Sequence, residues 1–372
     1  MMKSFVLAPD SFKGTLDATE LCDIWENAIL AHIPDANVRR LPMADGGEGM
    51  VASYLSVMGG RRRAVSVSGP FGAPVDAIYG ILPDGSAVME MAACAGLPLV
   101  GERKDPMHAT TYGVGEMIRH LAAQGVTNIL IGIGGSATND CGIGMAAAFG
   151  YRFLDVKRID VEPLAGNMGR IRHIVKPPFL PDLSVTVACD VVNPLYGPNG
   201  ATYTYGRQKG VDENMQPVLD AGLKNIAAIV KNDLKADVAN LPGAGAAGGL
   251  GAGLVAFLGA KLVPGIEMFL DAVGFDRILV DTDIVLTGEG CIDAQSIYGK
   301  VPVGVATRAK AAKVPCIALC GSIGPGAEAV YDYGITAMFS SVCSVSDFES
   351  IKKTCRGDMA LLADAVVRLI IA

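Results

Sequence analysis

Residues 10–13 read Asp-Ser-Phe-Lys and follow the apolar run FVLAP directly. A carboxylate, a hydroxyl and an ammonium therefore stand together where a strand would end. Parallel strands deliver the residues at their carboxyl ends to a ligand crevice. Lys13 precedes a helix start, whose free amides favour an anion such as phosphate or carboxylate. Asp10 could hold a cation or take a hydroxyl proton. Ser11 adds a hydroxyl, and a plain turn explains all three equally well.

Five further stretches carry comparable chemistry. In ADGGEG (44–49), Asp45 and Glu48 flank Gly46 and Gly47, leaving open amides between acids, which suits a substrate or Mg²⁺ loop. In GIGGSATND (132–140), Gly134, Gly135, Ser136 and Thr138 could present amides and hydroxyls to phosphate oxygens, with Asn139 and Asp140 behind them. This is not a Walker loop, because it lacks the Gly-Lys-Ser/Thr ending. In ACDVVNPL (188–195), Asp190 ends a β-like run and Asn193 precedes a proline, so Asp190 is a candidate base or ion ligand. In TGEGCIDAQSIYGK (287–300), Glu289 and Asp293 form a carboxylate pair with Lys300 downstream, which fits metal-assisted phosphoryl transfer as well as a solvated polar loop.

The last stretch is PGAGAAGGLGAG (242–253), with G-x-G-x-x-G at Gly243, Gly245 and Gly248. No clear strand precedes it and no strand-end acid follows at the required distance, so the dinucleotide fingerprint fails its context. A nucleotide-contacting turn and close helix packing both stay open. The four histidines form no HxxxH or HExxH pair, which argues against zinc, and no GxSxG elbow supports a hydrolase.

The elements that must hold these residues show in the apolar pattern. Residues 3–8 and 38–43 form strands, and Asp17 with Glu20 makes a capping box ahead of a helical stripe of Leu21, Ile24, Trp25, Ala28 and Ile29. Near the other end, 283–290, 316–321 and 336–341 are short strands running into polar turns, separated by helices near 301–313 and 325–333 and followed by one over 357–371. Residues 61–92 read as successive β segments, with further strands at 128–135 and 184–191. Strands alternating with helices predict an α/β fold with parallel sheets. The expected layout is a discontinuous doubly wound domain, 1–64 plus 281–372, with a second α/β domain inserted at 65–280 and the active site in the cleft between them.

Composition agrees. With 372 residues the chain exceeds one typical core, and 51% hydrophobic against 19% charged residues fits a well-buried enzyme. The balance of 31 basic and 38 acidic residues gives −7, no footprint for nucleic acid. The nine cysteines are odd in number and show no CxxC pair, which predicts buried free thiols in the cytoplasm; no signal peptide is evident. Residues 243–260 are uncharged, yet 13 of the 18 are Gly or Ala, so a packed core helix is expected and not a membrane span.

Taken in order, APDSFKGTL, ADGGEG, GIGGSATND, ACDVVNPL, PGAGAAGGLGAG and GEGCIDAQSIYGK resemble the bacterial glycerate kinases of glucarate, galactarate and glyoxylate utilisation, from residue 2 to the last helix. The resemblance implies ATP-dependent, Mg²⁺-assisted phosphorylation of D-glycerate to 2-phosphoglycerate, on a flavodoxin-like discontinuous domain plus an inserted one. Glycerate and ATP are then the expected partners, with neither nucleic acid nor membrane; monomer and homodimer both stay open. On this reading the glycerate carboxylate meets Lys13 or Lys300, and its hydroxyl faces Asp190 or Asp10. Mg²⁺ is held by Glu289 and Asp293, or by Asp45, while Ser136 and Thr138 grip phosphate oxygens. The rival readings are a non-catalytic small-anion binding protein and an NAD-dependent glycerate dehydrogenase.

Overall fold

The apolar runs near the two ends of the chain assemble into one parallel sheet. Its strands are Ser4–Pro9, Asn37–Arg40, Ile284–Gly288, Cys316–Cys320 and Ile335–Ser340. Counted along the chain, they lie in the order 2-1-3-4-5. That is the flavodoxin-like winding, with its switch point between the first and third strands. The computed structural model describes residues 3–43, 49–344 and 347–372.

Phe5, Leu7, Leu286 and Leu319 of this sheet join a core with Leu21, Trp25 and Ile29 of helix Ala18–His32 and with Met359, Ala363 and Val367 of helix Phe348–Ile371. Helix Val301–Ala311 touches four of the five strands without entering that core, so it covers the opposite face. The terminal helix starts at Phe348, well before residue 357, because Asp347 caps it by accepting the Ser350 amide at 2.9 Å. Its first turns are mostly polar and lack the apolar stripe that a sequence reading relies on.

The middle of the chain builds a six-stranded sheet. Strands Lys261–Val263, Ser184–Ala188, Asn128–Gly132 and Ala87–Glu90 run parallel, and Pro74–Ile81 and Arg61–Ser68 continue antiparallel. Pairing sets Glu90 opposite Gly132 and Gly132 opposite Ala188, so Glu90 and the polar turns after Gly132 and Ala188 stand at one level. Val114, Met117, Ile118 and Leu121 of helix Tyr112–Ala123 pack on Ile129, Ile131, Val185 and Val187.

By contact density the chain divides into Met1–Asp45 with Gly265–Ala372, and Gly46–Pro264. The sequence pattern puts the joints at 64/65 and 280/281. They fall earlier because helix Met50–Met58 packs on strands Pro74–Ile81 and Ala87–Glu90, while helix Gly265–Val273 packs on Val301–Ala311.

Among the described residues no helix is long and apolar enough to cross a membrane. All nine cysteines are free, but burial is less complete than the apolar runs suggest: Cys189 and Cys355 are half-buried and Cys291 and Cys343 exposed.

Candidate active site

At the switch point of the first unit, the two central strands are bonded to their ends: Thr287 Oγ1 donates to Ala8 O at 2.8 Å and the Asp10 amide to Gly288 O at 2.8 Å. Glu289 follows and is buried. The fully buried Ser296 hydroxyl donates to Glu289 Oε1 at 2.5 Å, and the Asp293 amide donates to Ser296 Oγ at 3.1 Å. Lys300 Nζ lies 3.4 Å from Glu289 Oε2 and 3.8 Å from Asp293 Oδ1, bridging both carboxylates. Burial pushes the Glu289 carboxyl above its ordinary value, while Ser296 and Lys300 pull against it. Lys300 directly precedes helix Val301–Ala311, so a cation and a helix N-terminus coincide and both favour an anion.

Beside it, Asp10 is nearly buried and its Oδ1 accepts the Ser11 amide at 2.7 Å. Lys13 is exposed on a tight turn in which the Phe12 amide bonds Leu16 O at 2.8 Å and Gly14 takes φ +84°. A Cβ on Gly290 would stand 3.6 Å from Phe12 Cα, so the two strand-end loops run side by side. The expected anion site at the next helix start is corrected here. Asp17 and Glu20 close the capping box, Glu20 N to Asp17 Oδ1 at 2.7 Å and Asp17 N to Glu20 Oε2 at 3.1 Å. Two carboxylates already complement that helix end, and Lys13 belongs to the turn.

In the second unit, Gly134 and Gly135 are exposed just past strand Asn128–Gly132, and Ser136 is 6% exposed. Behind them Thr138, Asn139 and Asp140 are fully buried. Asp140 is a brace, not a ligand group. Its oxygens accept the Thr111 amide and hydroxyl at 2.9 and 2.8 Å and the Gly142 and Gly144 amides at 3.1 and 3.3 Å. Burial pushes its carboxyl up and these donors oppose the shift. Asn139 Nδ2 donates to Thr202 Oγ1 at 3.0 Å, while Asn139 Oδ1 and Thr138 Oγ1 have no hydrogen-bond partner among the described residues. The loop also holds Lys209, only 2% exposed, which donates to Ser136 Oγ and to Thr138 O, each at 2.7 Å. Desolvation lowers its pKa to about 7 against the pull of Asp140.

Asp190 is exposed past strand Ser184–Ala188. Asn193 is committed within its own loop: Tyr205 donates to its Oδ1 at 2.6 Å and its Nδ2 donates to Asn199 O at 2.8 Å. Gly243, Gly245 and Gly248 are buried. A Cβ on them would meet Cys189 Sγ at 2.6 Å, Pro194 O at 2.3 Å and Thr138 O at 2.1 Å respectively. As nucleotide contacts these glycines are corrected to packing positions. They let one chain segment press against both the Asp190 and the Ser136 loops.

Residues 5–371 match the glycerate kinase family. A glycerate kinase of Halalkalibacterium halodurans is 45% identical over 368 residues, 97% of this chain and 96% of that protein. The chain belongs to the glycerate kinase family. Within that family, the glycerate 2-kinase of Escherichia coli K12 is 44% identical over 349 residues, 92% of each chain. A crystal structure assigned to glycerate kinase 2 of Salmonella typhimurium LT2 superposes with a TM-score of 0.84 at 40% identity, covering 99% of this chain and 98% of that one. The protein is therefore an enzyme, a kinase of the glycerate kinase family with a mixed α/β fold.

Three residues that shape these sites escape a sequence reading of the family motifs. Lys209 lies in YGRQKG, which looks like a solvated polar turn. Ser296 had a signal: Asp293 and Ser296 are three apart, the spacing of reciprocal side-chain and backbone caps. Glu90 ends its strand and accepts the Gly49 and Val51 amides at 3.2 and 2.9 Å, anchoring helix Met50–Met58. The segment just before that helix holds Asp45, Gly46, Gly47 and Glu48, which lie outside the described residues.

Proposed function

We propose that the chain transfers the γ-phosphoryl group of ATP to D-glycerate with Mg²⁺, giving 2-phosphoglycerate. The Lys300 ammonium between the Glu289 and Asp293 carboxylates at the switch point is the observation that carries this reading. Carboxylate oxygens are the ligands Mg²⁺ takes, and it needs only one or two of them beside waters and phosphate oxygens. Glu289 and Asp293 fit that demand, and when bound the ion neutralises charge developing on the phosphates.

The chain's own groups then divide the work. Lys300, at a helix N-terminus, draws phosphate oxygens; Ser296 opposes the protonation of Glu289 that burial favours. Gly134, Gly135 and Ser136 offer exposed amides and a hydroxyl to anionic oxygens, with Thr138 and Asn139 as the layer behind. Asp190, or Asp10, takes the proton of the glycerate hydroxyl, and Lys13 or Lys300 meets the glycerate carboxylate. The 2-phosphate is favoured by the likeness to a relative named glycerate 2-kinase. Nine unpaired thiols favour the cytoplasm as the working compartment.

The test is a phosphorus NMR spectrum of the product formed from ATP, Mg²⁺ and D-glycerate, run beside ADP release. A 2-phosphoglycerate resonance with matching ADP is expected. A 3-phosphoglycerate resonance would overturn the regiochemistry, and no ADP above the glycerate-free control would overturn the substrate.

A further inference from the structure

We propose that Lys209 is a positioning residue that fixes the Ser136 hydroxyl as a donor toward an anionic ligand oxygen. The argument begins with what a lysine can do. An ammonium has three protons and no lone pair, so it only donates. While Lys209 holds its proton, Nζ donates to Ser136 Oγ at 2.7 Å, so Ser136 accepts there and its own proton is given elsewhere. Without the ammonium, a serine hydroxyl rotates and serves equally as acceptor or donor. Lys209 removes that choice and polarises the O–H bond.

The backbone of Ser136 is held by other means. It pairs with Gly96 in an antiparallel bridge, and the next amide, Ala137, donates to Ala95 O at 2.9 Å. The bridge thus holds the backbone at Ser136 itself, and the second Lys209 bond, to Thr138 O at 2.7 Å, reaches the loop two residues further on. The place of Lys209 is fixed from elsewhere: it ends the turn Arg207–Lys209, and Gly210, at φ +94°, lies so close to Lys104 that a Cβ would stand 2.6 Å from Lys104 O. Burying a lysine ammonium is unfavourable in itself, and here desolvation outweighs the pull of the Asp140 carboxylate. A chain that merely had to fill this space would do so better with an apolar residue.

A second, independent observation points the same way. Thr138 Oγ1 and Asn139 Oδ1 are buried, without a hydrogen-bond partner among the described residues, within three residues of Ser136. The loop thus carries hydrogen-bonding capacity that the protein does not satisfy internally, as a ligand-gripping loop does. Gly134 and Gly135 are exposed beside it.

This inference rests on the kinase reading, in which the anionic oxygen belongs to either ATP or glycerate. The test compares wild type, Lys209→Met, Ser136→Ala and the double variant, measuring kcat and the KM of each substrate together with thermal unfolding. Each single change is expected to lower kcat/KM by about tenfold or more, the worth of one charge-assisted hydrogen bond. The rise should fall on the KM of one substrate, and that substrate identifies the source of the oxygen. In the double variant the loss should match Ser136→Ala alone, since Lys209 acts through that hydroxyl. Losses that multiply would overturn the proposal, as would a Lys209→Met enzyme with unchanged constants or one lacking a cooperative unfolding transition. Absence of turnover in wild type would instead remove the kinase reading on which it stands.

Discussion

Ser296 donates its buried hydroxyl to the buried Glu289 carboxylate over 2.5 Å, and this bond, with Lys300, holds the acid against its own desolvation. Burial alone favours the protonated acid; donors favour the carboxylate. A protonated Glu289 cannot ligate a cation, so its ionisation gates the proposed metal role.

Removing the donor therefore has a signed consequence. In Ser296→Ala the Glu289 carboxyl rises further, and the acid limb of the kcat/KM profile moves to higher pH. Activity at the alkaline plateau changes less than activity at pH 6. Superimposable acid limbs in the two enzymes would show that Ser296 does not set this charge.

Packing at the glycine-rich run gives a cleaner contrast. Gly248 and Gly259 share φ +67°, but a Cβ on Gly248 would lie 2.1 Å from Thr138 O, while one on Gly259 meets nothing within 4 Å. Both alanine substitutions carry the left-handed penalty of about 1–2 kcal/mol. Gly248→Ala adds overpacking of about 1–3 kcal/mol and displaces the loop bearing Ser136. Urea unfolding should rank Gly248→Ala well below Gly259→Ala, with activity lost only in the former; equal midpoints would mean that the loop yields freely.

These positions show what was legible beforehand. The switch-point residues Asp10 and Glu289 could be read because each follows an apolar run, and the end of a parallel strand is fixed by that run. The capping box at Asp17 and Glu20 was equally plain. Lys209 and the packing role of Gly243, Gly245 and Gly248 were hidden, because both depend on contacts between segments distant in sequence. Lys209 reaches back 73 positions to Ser136. Asp140 misled for a related reason: a carboxylate in a glycine-rich loop looks like a ligand group until its oxygens are found serving the Thr111, Gly142 and Gly144 amides.

Lys209 also leaves a mark on stability. With its pKa lowered to about 7 from 10.5, the buried ammonium is charged in both folded and unfolded chains below pH 7, where its burial penalty is complete. As pH rises from about 7 toward 10.5 the folded state sheds the proton first, so this contribution to stability rises with pH. The slope is about 1.4 kcal/mol per pH unit for one proton. Other groups titrate in the same range, so the quantity to measure is the unfolding free energy of wild type minus that of Lys209→Met. It should climb between pH 7.5 and 9; a flat difference would place the lysine in a more hydrated setting.

Asp190 tests the chemistry itself. It is exposed just past strand Ser184–Ala188, level with the Gly132 strand end. A base must be reachable by the hydroxyl it deprotonates and must carry charge, and a carboxylate at an open strand end meets both needs. Asp190→Asn keeps the shape and removes the basicity. Turnover should fall by about 10² or more while the unfolding midpoint stays within a degree or two, because a surface substitution of this kind changes stability by about 0.5 kcal/mol or less. The contrast with Ser296→Ala is diagnostic: losing a base lowers kcat across the whole pH range, whereas perturbing Glu289 moves one limb. Near wild-type turnover in Asp190→Asn would pass the role to Asp10, whose partly buried carboxylate lies at the switch point of the other sheet.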